Sequence, residues 1–177
     1  MNRLFFVAGL IMISMTAMAQ HPTGFSIVEK KDKEQVDILF NNKLLTAYCY
    51  YDSSRKPVLF PVNTLDGVTV TRSYPFQIIA GERTDHPHHT GIWLNYESVN
   101  GLDFWNNSTA IALDKRDQYG TIVHQIVVSI KAHDTTASLV TKADWIRPDK
   151  KVLLKEQTTF NFSVNKNSFI INLNLIK

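Results

Sequence analysis

The chain has 177 residues and a single cysteine, Cys49, so no disulfide can form within it and a disulfide-stapled fold is excluded. Its 19 basic and 16 acidic side chains are interspersed along the sequence, which offers no basic stripe for nucleic acid. We therefore expect a globular protein with a hydrophobic core and no nucleic-acid partner.

The first residues have the composition of a secretory signal peptide. Arg3 supplies a basic start, and the apolar run that follows ends in Ala17-Met18-Ala19, which fits cleavage before Gln20. The alternative is a membrane anchor, but the run is shorter than the ~20 residues that a spanning helix needs. The sequence predicts a signal peptide at 1–19, export to the periplasm or the exterior, and a single domain at 20–177 with no transmembrane segment.

The next part of the chain is rich in strand-forming residues and turn signals. "QVDILF" and "KLLTAYCYYD" flank Asn41-Asn42, and Asp66-Gly67 divides "LFPVNTLDGVTVTRSYPF" into two strand-like halves. Asn100-Gly101 is a third turn dipeptide between two strand-like runs, in "GIWLNYESVNGLDFW". Each dipeptide suits a tight turn, so we expect a hairpin at all three positions.

Four longer strands are predicted in the last third of the chain, at 121–132, 137–145, 151–164 and 168–176. Their breaks, "HDTT", "RPDK" and "NKN", supply turn residues, and no window has the 3.6-residue periodicity of a helix. Many short strands at regular spacing indicate an all-β fold, and specifically an antiparallel β-sandwich or barrel.

Two ionisable side chains interrupt the apolar faces of these strands. The apolar face of 121–132 includes His124, and that of 151–164 includes Glu156, unless a β-bulge reverses the alternation. A buried ionisable group is costly unless it is paired. One interpretation is that both side chains are satisfied within the core. The other is that both line a pocket into which the apolar face opens.

A set of spaced motifs resembles a known family. The string "TRSYPFQIIAGERTDHPHHTGIWLNYESVNGLDFW", followed by "GTIVHQ" and "VLLKEQTTF", is similar to the secreted bacterial family named methane oxygenase PmoA. The motif positions are Arg72, Tyr74, Pro75, Asp85 to His89, Gly91, Trp93, Val99 to Trp105, His124 and Glu156. The resemblance implies a β-sandwich of the galactose mutarotase-like supersandwich kind, which occurs in carbohydrate-active proteins.

Members of that family are considerably longer than this chain, which stops within the strand predicted at 168–176. We therefore expect the sandwich to be incomplete at its C-terminal end. This strand alternates Phe169, Ile171, Leu173 and Leu175 with polar residues, and such a strand at a sheet edge recruits other chains. The sequence thus predicts a homo-oligomer that forms through the C-terminal strand.

Three histidines lie close together in "DHPHH". Pro87 favours an extended His86, which would put His86 and His88 on one side of the segment and His89 on the other. A His-x-His pair on a strand is a start for a divalent metal site, as in cupin-like barrels. Residues that would complete the ligand set are Asp85, Glu97 and His124. A metal-dependent enzyme with His86 and His88 as ligands is therefore one hypothesis.

A second hypothesis assigns the same residues to a sugar-active site. Opening and reclosing a sugar ring needs an acid and a base, which a histidine near neutral pKa and a carboxylate supply. The predicted catalytic residues are Asp85, His86, His88, His124 and Glu156. The predicted substrate-binding residues are Arg72, Tyr74, His89, Trp93, Asn100, Asp103 and Trp105, with the indoles stacking on the sugar. Each of these residues also has a simpler structural alternative to substrate binding. A tryptophan can fill the core, Arg72 can form an ion pair, and Asn100-Gly101 can form a turn.

We expect Arg72, Asp85, His86, His88 and His124 to converge on one concave surface, because polar groups satisfy one another at lower cost than each alone. The ligand would be a small molecule or a glycan, and only the metal-dependent hypothesis needs a cofactor. The leading interpretation is an exported protein that binds or processes carbohydrate, as an epimerase, lyase or hydrolase-like enzyme does. A metal-dependent enzyme and a non-catalytic fragment are the alternatives.

Overall fold

The computed structural model describes residues 23–176, which form eight strands in two antiparallel four-stranded sheets. The first sheet contains β1 (Phe25–Lys30), β2 (Gln35–Phe40), β3 (Lys43–Cys49) and β4 (Val58–Val62), and the second contains β5 (Thr121–Ala132), β6 (Thr136–Ile146), β7 (Val152–Asn165) and β8 (Ser168–Ile176). The predicted all-β sandwich is therefore confirmed. The predicted signal peptide at 1–19 lies outside the described residues.

Strand order follows chain order in both sheets, so each strand pairs with its neighbours along the sequence. Asn41-Asn42 forms the β2–β3 turn, and both residues have positive φ (49° and 63°), as a type I′ turn requires. The predicted turn at "RPDK" is also present, where Lys150 donates its N–H to the Arg147 carbonyl. The strands of the second sheet begin and end within one residue of the predicted ranges.

The core lies between the two sheets. Ile38 and Leu59 of the first sheet share one apolar cluster with Leu139 and Phe162 of the second, and all four are at most 1 % exposed. Burial of one such side chain contributes roughly 1.5–3 kcal/mol to stability. This shared cluster holds the sheets face to face.

The two sheets are joined by residues 63–120, the connecting segment, whose only helix is the 3-10 helix Leu113–Gln118. Its side chains Phe76 and Trp93 pack on Ala47, Cys49, Val58 and Phe60, which project from the first sheet on the side away from the core. The connecting segment therefore covers the outer face of the first sheet.

Backbone hydrogen bonds join the connecting segment to β4 at two places, one of which is the bond from the Val70 N–H to the Val62 carbonyl at 2.8 Å. Ile92 and Leu59 exchange two backbone hydrogen bonds of 2.8 and 3.0 Å. Gly91 beside them has φ +58°, and a Cβ at this position would lie 2.2 Å from the Leu59 carbonyl oxygen. Only a residue without a side chain lets the two backbones come this close.

The hairpin strands that we expected around Asp66-Gly67 and Asn100-Gly101 do not form. Both turns are present, but each is closed by one isolated bridge, Asn63 to Thr69 and Val99 to Leu102. The apolar side chains of the segment pack on the existing sheets, Phe76 and Trp93 on the first and Phe104 on the second, and not on a partner strand of their own. Its prolines also lack the N–H that a ladder needs.

Two β-bulges in β5 overturn part of the predicted apolar face. The register shifts between His124 and Ile126 and again between Val127 and Ser129. Ile122 and His124 face the core as expected, but the first bulge turns Ile126 outward, where it is 54 % exposed, and turns Val127 inward. A bulge inserts one residue into the alternation and so reverses every side chain after it.

The faces of β7 and β8 match the prediction more closely. Thr158, Phe160 and Phe162 are buried along the face that also contains Glu156. β8 pairs only with β7, so it is an edge of the described sheet, and its inward residues are half-buried. None of the described residues belongs to a helix long and apolar enough to cross a membrane.

Candidate functional site

The three histidines of the connecting segment form a tight turn and not the extended run that we predicted. His86 has a φ of 48°, and the His89 N–H donates to the His86 carbonyl at 2.9 Å. Pro87 occupies the second position of this turn, where its fixed φ is favoured. The chain therefore reverses, and His89 does not face away from the other two.

All three imidazole rings consequently meet. The ring centroids of His86 and His89 are 5.3 Å apart in a stacked arrangement, and those of His88 and His89 are 4.3 Å apart, edge to face. His86 and His88, which we predicted as a metal-binding pair, have centroids 5.7 Å apart. No group of three or more His, Cys, Asp or Glu side chains within residues 23–176 is arranged to hold a metal ion, and Glu97 lies exposed.

Arg72 holds the start of the histidine turn. Its guanidinium donates to the carbonyl oxygens of Arg83 and Asp85 at 2.6 and 2.7 Å and lies 3.7 Å from the Asp85 carboxylate. Its planar group also lies over the Tyr74 ring, 5.4 Å from the centroid. Because these donors already have partners, Arg72 positions the turn, as the simpler alternative predicted.

Asp85 interacts with the same turn through its carboxylate. The carboxylate lies 3.2 Å from His86 Nδ1 and 2.8 Å from the Arg83 guanidinium. Desolvation raises the pKa of Asp85. The hydrogen bond from His86 and the charges of Arg83 and Arg72 together lower it by more, so the pKa lies below its usual value. Asp85 is thus an anion at neutral pH.

Two tryptophans extend the histidine cluster. The rings of Trp93 and Trp105 are 5.5 Å apart, and the His89 ring lies 5.7 Å from Trp93 and 6.1 Å from Trp105. Trp105 is 37 % exposed. Trp93 is half-buried, and its Nε1–H is buried without a hydrogen-bond partner in the described part of the chain.

Lys56 lies beneath these indoles. Its side chain is buried, its Nζ donates to the Trp105 carbonyl at 2.9 Å, and it sits 4.6 Å from the centre of the Trp93 ring. Burial lowers the pKa of Lys56 to about 8, partly opposed by the charge of Asp103. Sequence reasoning missed this residue, because one lysine between Arg55 and Pro57 has no pattern that distinguishes it from a surface lysine.

We define the aromatic–histidine cluster as His86, His88, His89, Trp93, Trp105 and Lys56. Burial, together with the neighbouring His89, Lys56 and His86, lowers the pKa of His88 to about 4, against the opposing charge of Asp103. The pKa of His89 is lowered in the same way, first by burial and then by His86 and Lys56. The cluster therefore presents aromatic rings with neutral imidazole nitrogens, which can accept or donate hydrogen bonds.

Asn100 and Asp103 have mainly structural contacts. Asn100 (φ 52°) and Gly101 (φ 81°) form the two-residue turn between Val99 and Leu102, in agreement with the simpler alternative. Asp103 accepts hydrogen bonds from the backbone N–H of Asn106 at 2.9 Å and from its side-chain amide at 2.7 Å. These bonds occupy one lone pair on each carboxylate oxygen and leave the others for a ligand.

His124 does not join the cluster. Its Nδ1 lies 3.1 Å from the hydroxyl of Tyr48, and its ring stacks on Tyr50 with centroids 4.2 Å apart. Burial lowers the pKa of His124. No hydrogen bond, ion pair or ring contact within residues 23–176 links it to the histidine turn. The reason is topological, since β5 directs His124 between the sheets whereas Trp93 of the connecting segment packs on the outer face of the first.

Glu156 is also satisfied inside the sandwich. Its carboxylate accepts hydrogen bonds from Trp145 Nε1 at 2.6 Å and from the Thr158 hydroxyl at 2.7 Å. Glu156 and Trp93 line the same cavity, but its volume is about 30 Å³, room for one water and not for a sugar. The expected single site is therefore two groups of residues, and His124 and Glu156 also line surface pockets of their own, of about 350 and 370 Å³.

The sequence matches one family model, described as a family of unknown function, DUF6807, over residues 35–175. The chain belongs to this family. The DUF6807 match extends from the start of β2 to the penultimate residue of β8 and contains every residue of the cluster. No curated protein and no solved structure matches the chain. Membership of DUF6807 therefore brings no activity with it, and the function has to be argued from the geometry.

Proposed function

We propose that this DUF6807 protein binds a carbohydrate at the aromatic–histidine cluster. The observation that carries the proposal is the pair of indole rings, Trp93 and Trp105, which lie 5.5 Å apart with Trp105 exposed to solvent. An aromatic ring with an accessible face stacks on the C–H face of a sugar and shields it from water. The imidazoles beside the indoles supply the polar part of the same surface.

Hydroxyl recognition would come from groups without a competing partner. His88 and His89 are held neutral by their lowered pKa values, so each ring can accept one hydrogen bond and donate another. The buried Nε1–H of Trp93 is one more donor in need of an acceptor. Sugar hydroxyls both donate and accept, and so complement this mixture better than a purely anionic or apolar ligand would.

The same protonation states favour binding over acid–base chemistry. With a pKa of about 4, His88 is a base at neutral pH, and the lowered pKa of Asp85 keeps that carboxylate ionised. Lys56 carries a proton but directs it at the Trp105 carbonyl. Sugar-ring opening needs an acid as well as a base. We therefore propose a binding function first, and an epimerase-, lyase- or hydrolase-like activity only where the ligand brings in a further acid.

The proposal includes the location and the wider kinship predicted from the sequence. A signal peptide at 1–19 would deliver the domain to the periplasm or the exterior, where polysaccharides are encountered. Relationship to the family named methane oxygenase PmoA is proposed on the motifs quoted above, as is the galactose mutarotase-like character of the sandwich. Cell fractionation and N-terminal sequencing of the exported protein test the export step, which fails if the product retains Met1.

Screening on a glycan array, followed by calorimetric titration of the ligands found, tests the binding proposal. Trp105→Ala should weaken binding by about ten-fold, equal to ~1.4 kcal/mol, because the stacking surface is lost. Tyr96→Ala is the matched control. Tyr96 is 55 % exposed in the same connecting segment, and its ring lies 6.3 Å from that of Trp145, which is not a member of the cluster. Equal losses in the two variants, or no glycan bound at all, would contradict the proposal.

A metal-dependent enzyme is the second candidate, because three imidazoles lie with centroids no more than 5.7 Å apart. Small ring rotations in a turn could direct several nitrogens at one divalent ion. Metal analysis of the purified protein, repeated on His86→Ala and His88→Ala, separates the candidates. Stoichiometric metal that both substitutions abolish would favour the metal-dependent enzyme, and substoichiometric metal would favour the carbohydrate site.

A further inference from the structure

A second concave surface, separate from the aromatic–histidine cluster, is lined by basic side chains. We define the basic cleft by Arg55, Arg116, Arg147 and Lys150, with Asn107 and Tyr119 between them. Its volume is about 410 Å³, and no acidic residue is among those of the described chain that line it. Ligand sites in proteins commonly have volumes of ~300–1,000 Å³.

Three segments bring these four cations together from distant parts of the sequence. Arg55 follows the 3-10 helix Asp52–Ser54, and Arg116 belongs to the 3-10 helix Leu113–Gln118. Arg147 and Lys150 come from the β6–β7 turn. Like charges brought together by tertiary structure repel one another, so their convergence requires compensation, which a bound anion supplies.

The cations of the cleft are only partly neutralised within the protein. The Nε of Arg55 is buried and has no hydrogen-bond partner among residues 23–176. Arg116 donates to the Thr109 carbonyl at 3.1 Å, and Arg147 lies 3.3 Å from Asp149. No ion pair of the described chain involves the Lys150 side chain. A buried guanidinium N–H without an acceptor is costly, so Arg55 in particular lacks a partner that an anionic oxygen would provide.

The backbone at two of these positions is also unusual. Arg55 has a φ of 60° and Lys150 a φ of 69°, in the left-handed region that favours glycine or asparagine. A long basic side chain at such a position carries a conformational cost of the order of 1 kcal/mol. The fold thus directs two basic side chains into the cleft from positions where a glycine would be less strained.

The basic cleft adjoins the aromatic–histidine cluster along the chain. Arg55 precedes Lys56 of the cluster, and Trp105 is followed two residues later by Asn107 of the cleft. Asn107 in turn donates to the Gly120 carbonyl at 2.7 Å, which fixes this wall to the start of β5. Both surfaces thus take residues from the same two stretches of the chain, 55–56 and 105–107.

We infer that the basic cleft binds the carboxylate of an acidic sugar, so that the ligand class is an oligosaccharide containing uronate. The inference rests on the proposed carbohydrate function and specifies it further. Planar guanidinium groups match a carboxylate through paired hydrogen bonds. Asp114, Asp117 and Asp149 are exposed and lie within two residues of Arg116 or Arg147 in the sequence, where their charges disfavour an extended polyanion. A single carboxylate on a mostly neutral ligand therefore fits better than a nucleic-acid backbone.

Calorimetric titration with matched pairs of ligands tests this inference, each pair being a uronate oligosaccharide and its neutral counterpart, such as trigalacturonate and galactotriose. We expect the uronate member to bind about ten-fold more tightly, and the preference to fall with added salt. Lys150→Gln and Arg116→Gln should each remove most of the preference. Lys151→Gln is the matched control, because it removes the same charge from the next residue, which does not line the cleft.

The outcomes separate the two proposals. Equal affinity for the acidic and neutral members, or an equal effect of Lys150→Gln and Lys151→Gln, overturns the uronate inference and leaves carbohydrate binding intact. Failure of every sugar to bind overturns both. Tighter binding of a single-stranded oligonucleotide than of any uronate, or binding of inorganic sulfate with no sugar preference, also overturns the inference.

Discussion

At the scale of single residues, the unusual feature is the chemistry beneath the exposed indoles. A lysine ammonium is rarely buried, because desolvation favours its neutral form. Lys56 is retained there by the Trp105 carbonyl, the Trp93 ring and the charge of Asp103. These contacts fix the position of Trp105, so we regard Lys56 as a residue that positions the binding surface and does not touch the ligand.

Lys56→Met tests this positioning role. We expect the free energy of unfolding to change by less than ~1 kcal/mol, because an apolar side chain of similar volume removes a buried charge together with its desolvation cost. Carbohydrate affinity should nevertheless fall, since the Trp105 carbonyl loses its donor. Chemical denaturation and calorimetric titration measure the two effects. Lys43→Met, at an exposed position of β3, is the control, and equal affinity in both variants would show that Lys56 is dispensable.

His88 gives the protein a predictable response to acid. Its pKa is about 4 in the folded state and about 6.5 when unfolded, so between these values the unfolded chain binds more protons. Stability therefore rises with pH across this window, and the contribution present above pH ~6.5 is lost as the pH falls towards 4. His88→Gln should flatten the dependence in part, because the lowered pKa values of His89 and His124 act with the same sign.

Urea unfolding across this pH range measures the slope. The wild-type protein, measured in parallel, is the reference for the slope. A His88→Gln protein with the wild-type slope would mean that the imidazole is charged in the folded state.

At the scale of the elements, the connecting segment holds the aromatic–histidine cluster in place through its contact with β4. Gly91 and the Ile92–Leu59 bridge make that contact, while Trp93 follows directly and packs on the first sheet. The cluster is thus held by the backbone contact at Gly91 and Ile92 and by Lys56 beneath the indoles.

Gly91→Ala should displace the segment from β4, because its Cβ would lie 2.2 Å from the Leu59 carbonyl oxygen, on a strand that cannot move without disturbing the core. Gly81→Ala provides a matched control in the same segment, with φ +84° and no atom within 4 Å of the added Cβ. We expect both to lose ~1 kcal/mol through the positive φ, and Gly91→Ala alone to lose further stability through the clash and to lose ligand binding. Similar behaviour of the two in denaturation and titration would rule out this anchoring role.

The sequence predicted the second sheet well and the connecting segment poorly, for identifiable reasons. In β6, β7 and β8 the inward and outward side chains largely alternate, and turn residues bound each strand. The two-residue periodicity and the turn signals therefore predict the same strand boundaries. β1 went unrecognised because "FSIVEK" is short and ends in two charged residues. In the connecting segment, apolar side chains mark contacts with an existing sheet and not the periodicity of a new element, and no local pattern distinguishes the two.

The site shows the same contrast. Part of the candidate site could be predicted from the sequence, because ionisable and aromatic residues are concentrated in short stretches of it. These residues are Asp85, His86, His88, Trp93 and Trp105. The buried Lys56 could not be predicted, since its neighbours are set by tertiary contacts. The bulge in β5 likewise has no sequence signal that we recognised, yet it alone decides that Ile126 faces water.

At the scale of the whole molecule, the two edges of the second sheet differ. β5 carries two register shifts in its pairing with β6, whereas β8 pairs with β7 over nine consecutive residues without one. Bulges protect an edge from pairing with another chain, and a regular edge does not have that protection. Of these two edges, β8 is therefore the less protected, and the homo-oligomer through it stays a prediction.

Ile170→Lys tests association through β8. Ile170 is 39 % exposed, and a lysine there should reduce any dimer seen by analytical ultracentrifugation, because charges on an edge disfavour pairing. Ile126→Lys on β5, at a residue 54 % exposed, is the control and should leave association unchanged. A wild-type protein that is monomeric at the highest attainable concentration would show that the β8 edge is not used.

The simple strand order has a consequence for how the molecule assembles. Each sheet is built from pairs that are adjacent in sequence, so each can form early, without long-range contacts. The connecting segment has no sheet of its own, and its apolar side chains pack on both sheets. We therefore expect the proposed ligand-binding surface to become ordered after the sheets and to open before them. Amide protons of residues 82–105 should exchange sooner than those around Leu139, and a saturating ligand should slow them selectively.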